Sequence, residues 1–311
     1  MRRAYRRAVR VRHTAQPPRV RAVAASFPPD VPPERRRLSG LLVRLAILVP
    51  AGGALCAATR AGEPGPPTTA VAHDIVTIGR SVEGRPIRMH IFGDGPDRIL
   101  VLAGVHGDEP AGTAVAARLI RELRSHPELS AGHTVAIIPA VNPDGLRRHS
   151  RANARGVDLN RNFPSCDWRP GRPGALSHGL APCSEPETAA VARAVVLIGP
   201  DRIVDIHSIS GRRECNNYDG PGQSLAALMS RANGYPVAPQ IGYPTPGCLG
   251  SWTGIDDGIP TVTLELPRGS APARCWAQNQ AALVAFVRAP SAAGCAPESA
   301  AFAARSPQPA R

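Results

Sequence analysis

No lysine occurs anywhere in the 311 residues; every one of the 37 basic side chains is arginine. That one-sided usage points to genome base composition rather than to selection for phosphate binding. The formal charge of +13 is a nucleic-acid signal only if it is spread over the folded part of the chain. It is not. Residues 1–61 hold 13 Arg against Asp30 and Glu34, whereas residues 62–311 hold 24 Arg against 22 acids. A nearly neutral body excludes nucleic acid as the partner. A long uninterrupted apolar run is also missing: the best candidate, "LSGLLVRLAILVPAGGALCAA", is broken by Arg44 and is short for a spanning helix. No internal repeat is seen.

What is present divides the chain into five parts. Residues 1–37, rich in Arg, Pro and Ala, read as disordered or as a mis-started N-terminal extension. Residues 38–61 resemble a signal peptide, with small residues for cleavage near Ala58 or Ala61; an uncleaved anchor is the alternative and the single route to a membrane. Cys56 does not suit lipidation, because Leu55 before it is too large. Residues 62–70 form a linker, 71–290 a catalytic-sized domain, and 291–311 a loose tail. Beyond residue 61 six cysteines remain, an even set that suits an oxidising compartment, with Cys166 and Cys183 the first pair expected. The expected location is therefore the periplasm or the exterior, the cytoplasm being the alternative.

From residue 75 the chain alternates strand and helix. "IVTIGRSVEGRPIRMHIFG" predicts two paired strands. "RILVLAGV" (98–105), "TVAIIPAV" (134–141), "RIVDI" (202–206) and "TVTLEL" (261–266) are continuous apolar strands, and helices are expected over 111–125 and 273–288. "NPDG" predicts a turn, and "SEPET" a helix start with Ser184 as N-cap and Glu187 closing the capping box. Apolar strands between helices imply one α/β domain: a mixed, mostly parallel twisted sheet of about eight strands with helices on both faces.

Ligands of open α/β sheets bind beyond the carboxyl ends of the strands. "RILVLAGV" runs into "HGDE", delivering His106 and Glu109; "RIVDI" runs into His207; "TVTLEL" ends on Glu265. Two imidazoles and one carboxylate fit a catalytic zinc site, which takes three protein ligands and keeps one position open. Asp158 is a candidate acceptor for the other nitrogen of His106. Glu265 is a candidate general base.

"HGDE", "NPDG", "RANARGVDLNRNFP", "SEPET", "DIHS" and "TLELP", in this order, resemble the zinc metallocarboxypeptidases over about residues 75–288, and with "GYPTPGCLGSW" look closest to their murein tripeptide amidase branch. The resemblance implies one Zn2+ per chain on His106, Glu109 and His207, with Glu265 as general base. It implies that Arg151 stabilises the oxyanion, that Asn160 and Arg161 bind the free C-terminal carboxylate of a small peptide, and that Tyr243 closes over it. For Tyr243 a structural role beside Pro244 is the alternative. Arg147, Arg148 and Arg155 are left as solvated charges. The branch releases meso-diaminopimelate from its γ-D-glutamyl bond, for which Asp108, Asn216, Asn217 and Asp219 are candidate polar contacts; "NNYDG" reads equally well as a turn. A broader peptide carboxypeptidase and an inactive cell-wall peptide binder are the competing readings. Oligomeric state is not predicted.

Overall fold

A computed structural model of the chain describes residues 73–171, 176–239, 241, 243 and 245–290. The readings for residues 1–70, for the tail from 291 and for Pro244 lie outside these. Eight strands run in chain order: β1 (His73–Arg80), β2 (Pro86–Phe92), β3 (Asp97–Ala103), β4 (His133–Ile138), β5 (Arg202–Ile209), β6 (Cys215–Asp219), β7 (Val237–Ala238) and β8 (Thr261–Pro267). They form one sheet in the order β1-β2-β4-β3-β5-β8-β6-β7. The centre, β4-β3-β5-β8, is parallel, and both margins carry antiparallel pairs.

Alternation along the strands feeds two separate layers of core. From β3, Ile99, Val101 and Ala103 face helices α1 (Pro110–Ser125), α4 (Gln223–Asn233) and α5 (Pro272–Val287). Leu100 and Leu102 point the other way, toward α3 (Pro186–Ile198). All five of these β3 residues are fully buried, which is why the strand reads as a continuous apolar run.

One buried ion pair ties the sheet to its last helix. Arg202, at the start of β5, donates to both oxygens of Asp97 on β3 at 2.8 Å and to the carbonyls of Phe286 and Val287 at the end of α5. Removing one partner of such a pair strands the other charge in the interior. Arg202→Ala is therefore expected to lower unfolding stability by about 3–5 kcal/mol, read from urea denaturation; a loss below about 1 kcal/mol would show that the clamp contributes little.

Several local expectations are corrected. "NPDG" is not a bare turn but opens a short helix, α2 (Pro143–Arg148), because Asn142 caps it by accepting from the Gly145 N–H. Ser184 does not cap α3: Pro186 is the first helical residue, so the cap position falls on Glu185, and the Glu187 carboxylate turns away to accept from the Val82 N–H and from Asn153. "CNNYD" is strand β6, paired with β8, rather than a turn. Cys166 and Cys183 are not bonded. The Cys166 N–H is held by Asp256 at the surface, while the Cys183 N–H is held by the Asn162 carbonyl in a left-handed turn. Cys215, Cys248 and Cys275 are buried free thiols.

Candidate active site

The parallel pairing of β5 with β8 sets His207 directly beside Glu265, so both side chains leave the same face of the sheet. On the neighbouring strand, the chain passes from β3 through a tight loop to α1. Gly107 makes that loop possible: a Cβ there would lie 1.9 Å from the backbone of Gly145. The loop turns His106 inward and leaves Glu109 at the cap of α1.

The result is a converging set of atoms. His106 Nδ1 and His207 Nδ1 are 3.0 Å apart, and lie 3.0 and 3.1 Å from the Glu109 carboxylate oxygens. All three residues are buried. Each imidazole has its other nitrogen at a carboxylate, His106 Nε2 at Asp158 (3.0 Å) and His207 Nε2 at Asp205 (2.8 Å). Those partners accept an Nε2–H and so leave two bare Nδ1 lone pairs facing one another. Between neutral rings such an arrangement is repulsive until a cation, a proton or a metal ion, lies between them. A set of two nitrogens and one carboxylate oxygen is the donor chemistry of zinc, so the residues present fit that ion.

Charges around the cluster reinforce it. Burial works against ionisation of Glu109, yet its contacts with the His106 and His207 rings outweigh it and hold the carboxyl far below the usual carboxylate range. Burial likewise opposes ionisation of Asp158, and its bond to His106 with the nearby Arg151 reverses the outcome. For Glu265 burial prevails and pushes its pKa up, against the opposing charge of His207. A carboxylate that binds protons more readily than usual is the better proton acceptor near neutral pH.

The structure gathers most of the residues expected from sequence around one cleft: His106, Glu109, Arg151, Asn160, Arg161, His207, Tyr243 and Glu265 all line it. Arg151 donates Nε–H to Asp158 at 3.0 Å, with its Nη1 3.5 Å from Glu109. Asn160 is oriented by the Leu249 N–H, which donates to its Oδ1, and Arg161 Nη1 donates to the Asn160 carbonyl. Tyr243 is 47% exposed at the rim.

Other expectations are not met. Asn216 is fully buried on the opposite face of β6, bonded to Asn233, and Asp108 is paired with Arg268 at 3.0 Å. Neither lines the cleft. Arg148 and Arg155 are exposed, as expected, and also reach Glu83 and Glu185. Two participants went unread in the sequence. Asp205 had a signal, because it lies two residues before His207 on a strand and so shares its face. Arg268, which donates to Glu109 at 3.0 Å, had none, for nothing local shows that the chain after β8 returns to the loop after β3.

The carboxylates behind the imidazoles give a test that leaves the ligands intact. Asp158→Asn is expected to weaken zinc affinity about 10–100-fold by disturbing the tautomer of His106, read by competition with a chromophoric chelator. Unchanged affinity would make Asp158 a mere neighbour.

Known proteins are similar to this chain in sequence and in fold. The zinc carboxypeptidase family model matches residues 71–213. Murein peptide amidase A of Escherichia coli (strain K12) is 36% identical over 205 residues, covering 61% of this chain and 79% of that protein. The enzyme of the same name from Vibrio campbellii is 33% identical over 209 residues, covering 63% and 80%. Among solved structures, the murein-tripeptide amidase from Escherichia coli O157 superposes with a TM-score of 0.56 at 28% identity, over 71% of this chain and 94% of that one. Carboxypeptidase A from Helicoverpa armigera shares the fold, with a TM-score of 0.60 at 20% identity over 71% and 70%. Identity of 36% sustained across 79% of a relative leaves no doubt of kinship: this chain belongs to the zinc carboxypeptidase family and is a zinc-dependent hydrolytic enzyme.

Proposed function

We propose that the enzyme hydrolyses the amide bond next to the free C-terminus of peptidoglycan peptides, releasing meso-diaminopimelate from γ-D-glutamate. The observation that carries this reading is the meeting, in one cleft, of a His2Glu cluster with a buried carboxylate and two arginines, in a chain 36% identical to a murein peptide amidase. His106, Glu109 and His207 would hold the zinc. When bound, the ion supplies a Lewis acid that polarises the scissile carbonyl and makes water more acidic.

The chain's own groups do the rest. Arg161 receives the terminal carboxylate of the peptide, as a planar guanidinium can with two parallel bonds, and the Asn160 amide donates beside it. Tyr243, exposed at the rim, closes over the same carboxylate. Arg151 faces the oxygen on which negative charge develops as the carbonyl is attacked. Glu265 takes a proton from the attacking water and returns it to the leaving nitrogen, so the amine departs neutral. Asp158 and Asp205 hold the two imidazoles by their outer nitrogens. An inactive binder would not need a buried proton acceptor beside the cluster.

The location we infer from the signal-like segment is outside the cytoplasm. Its function is then tested by offering the zinc-loaded full chain L-Ala-γ-D-Glu-meso-diaminopimelate beside ordinary peptides ending in basic, apolar or acidic residues. Preferred release of diaminopimelate supports the amidase; faster release of ordinary residues replaces it with a general carboxypeptidase.

A further inference from the structure

The segment "SEPET", Ser184–Thr188, opens α3 without forming the capping box that its pattern predicts. Its polar groups turn instead toward the loop that carries Arg151, Asp158, Asn160 and Arg161.

Two asparagines bound that loop. Asn153, two residues after Arg151, closes a tight turn: its Oδ1 accepts from the Arg155 and Val157 N–H groups at 3.0 and 3.1 Å, and its own backbone N–H donates to the Val157 carbonyl at 2.9 Å. The turn brings Arg151 back alongside Asp158, to which its Nε–H donates. Asn162 follows Arg161 directly and is fully buried.

Both asparagines are held by the same five residues. The two N–H bonds of the Asn153 amide go to Glu185 Oε2 at 2.8 Å and Glu187 Oε2 at 3.1 Å. Asn162 Oδ1 accepts from the Glu185 N–H at 3.1 Å and from the Thr188 hydroxyl at 2.7 Å, while its amide donates to Ser184 Oγ and to the carbonyls of His178 and Ala181. Glu185, Glu187 and Thr188 are buried, and none of them lines the cleft. Two carboxylates set in the interior against one neutral amide work against stability. What they supply is position, because each bond that slips leaves a buried polar group without a partner.

The two acids are not equivalent. Glu187 has both oxygens committed as acceptors, Oε1 to the Val82 N–H at 3.0 Å and Oε2 to Asn153. A glutamine of the same shape would turn its NH2 against one of those donors. Glu185 Oε1 instead faces the Ser184 hydroxyl, which can rotate to accept.

We propose that Ser184–Thr188 is the positioning element of this active site: Glu187, through Asn153, sets Arg151 against the developing oxyanion, and Thr188, through Asn162, sets Asn160 and Arg161 against the terminal carboxylate of the substrate. One buried segment thereby fixes the span between the two anion holders. This rests on the roles given above to Arg151, Asn160 and Arg161.

The test measures kcat and KM separately for the zinc-loaded full chain, on whichever peptide the parent cleaves fastest. Glu187→Gln is expected to lower kcat about 10–100-fold and to leave KM within about 3-fold. Thr188→Val, which keeps the shape and removes the hydroxyl, is expected to raise KM about 10-fold and to leave kcat within about 3-fold. Glu185→Gln and Thr188→Ser keep the bonds and should match the parent in both. Thermal unfolding and zinc content show that each variant is folded and loaded. A fall in melting temperature with parental kinetics, or the same mixed loss of kcat and KM at both positions, overturns the proposal and leaves the segment a structural one. Should Glu187→Gln fail to fold, the KM of Thr188→Val decides alone. Arg161→Ala separates the proposal from the reading beneath it. If that variant keeps the parental KM, the carboxylate site itself is misassigned; if it raises KM and Thr188→Val does not, the positioning proposal alone falls.

Discussion

Glu265→Gln is expected to bind one zinc per chain as the parent does and to lose about 10²–10⁴-fold in kcat. Glu265 contributes nothing to the three converging donor atoms, so the metal should be indifferent to the change. The side chain is buried, and its pKa is raised by that burial, so the wild-type carboxylate is a stronger base than an exposed one while the amide accepts no proton at all. KM should move little, because the groups that receive the substrate's carboxylate are Asn160 and Arg161. Turnover in the variant equal to that of the parent would remove Glu265 from the reaction.

Loss of zinc is the second large effect. Glu109→Gln is expected to abolish tight binding and activity together, with metal content falling well below one per chain after gel filtration. Glu109 accepts from the Ser208 N–H and from Arg268 besides facing both imidazoles, so the neutral amide also leaves buried positive groups uncompensated. The proton should compete with the ion at the same place. Burial opposes charging of His207, but Asp205 and then Glu109 overcome it and raise its pKa well above the ordinary histidine value. A ligand imidazole must be unprotonated, so zinc affinity should rise with pH through and beyond the ordinary histidine range, and binding near neutral pH should release protons. Calorimetry in buffers of different ionisation enthalpy reads that release directly. An affinity flat from pH 6 to 8 would contradict it.

The parts of this site that sequence made legible share one property: they sit at the ends of strands buried on both faces. β3, β5 and β8 declare themselves as apolar runs, and the polar residue that ends each run, His106, His207 or Glu265, stands out against it. β6 does not. Its five residues include two asparagines and an aspartate, because Asn217 and Asp219 line a pocket beside the cleft while Asn216 on the other face joins a buried amide network with Asn233 and Asn279. Such a strand is stabilised by its partner β8, and its own composition reads as a turn. The arginines of "RRHSRANARG" divide as read, with Arg148 and Arg155 exposed and Arg151 lining the cleft, but their ion-pair partners were not legible. Arg148 pairs with Glu83 and Arg155 with Glu185, far off in sequence, while Arg151 is positioned by Asp158 and Glu109. The pairing of Cys166 with Cys183 expected from their spacing is not formed, and both are free thiols.

The central claim is that one zinc ion is held where His106, Glu109 and His207 converge. Anomalous diffraction at the zinc edge from crystals of the zinc-loaded protein tests it most directly. A single peak is predicted about 2.0–2.1 Å from His106 Nδ1 and from His207 Nδ1 and about 2.0–2.2 Å from a Glu109 oxygen. A strongest peak elsewhere, at the half-buried pair His73 and His90 for instance, with none between these three residues, would contradict it.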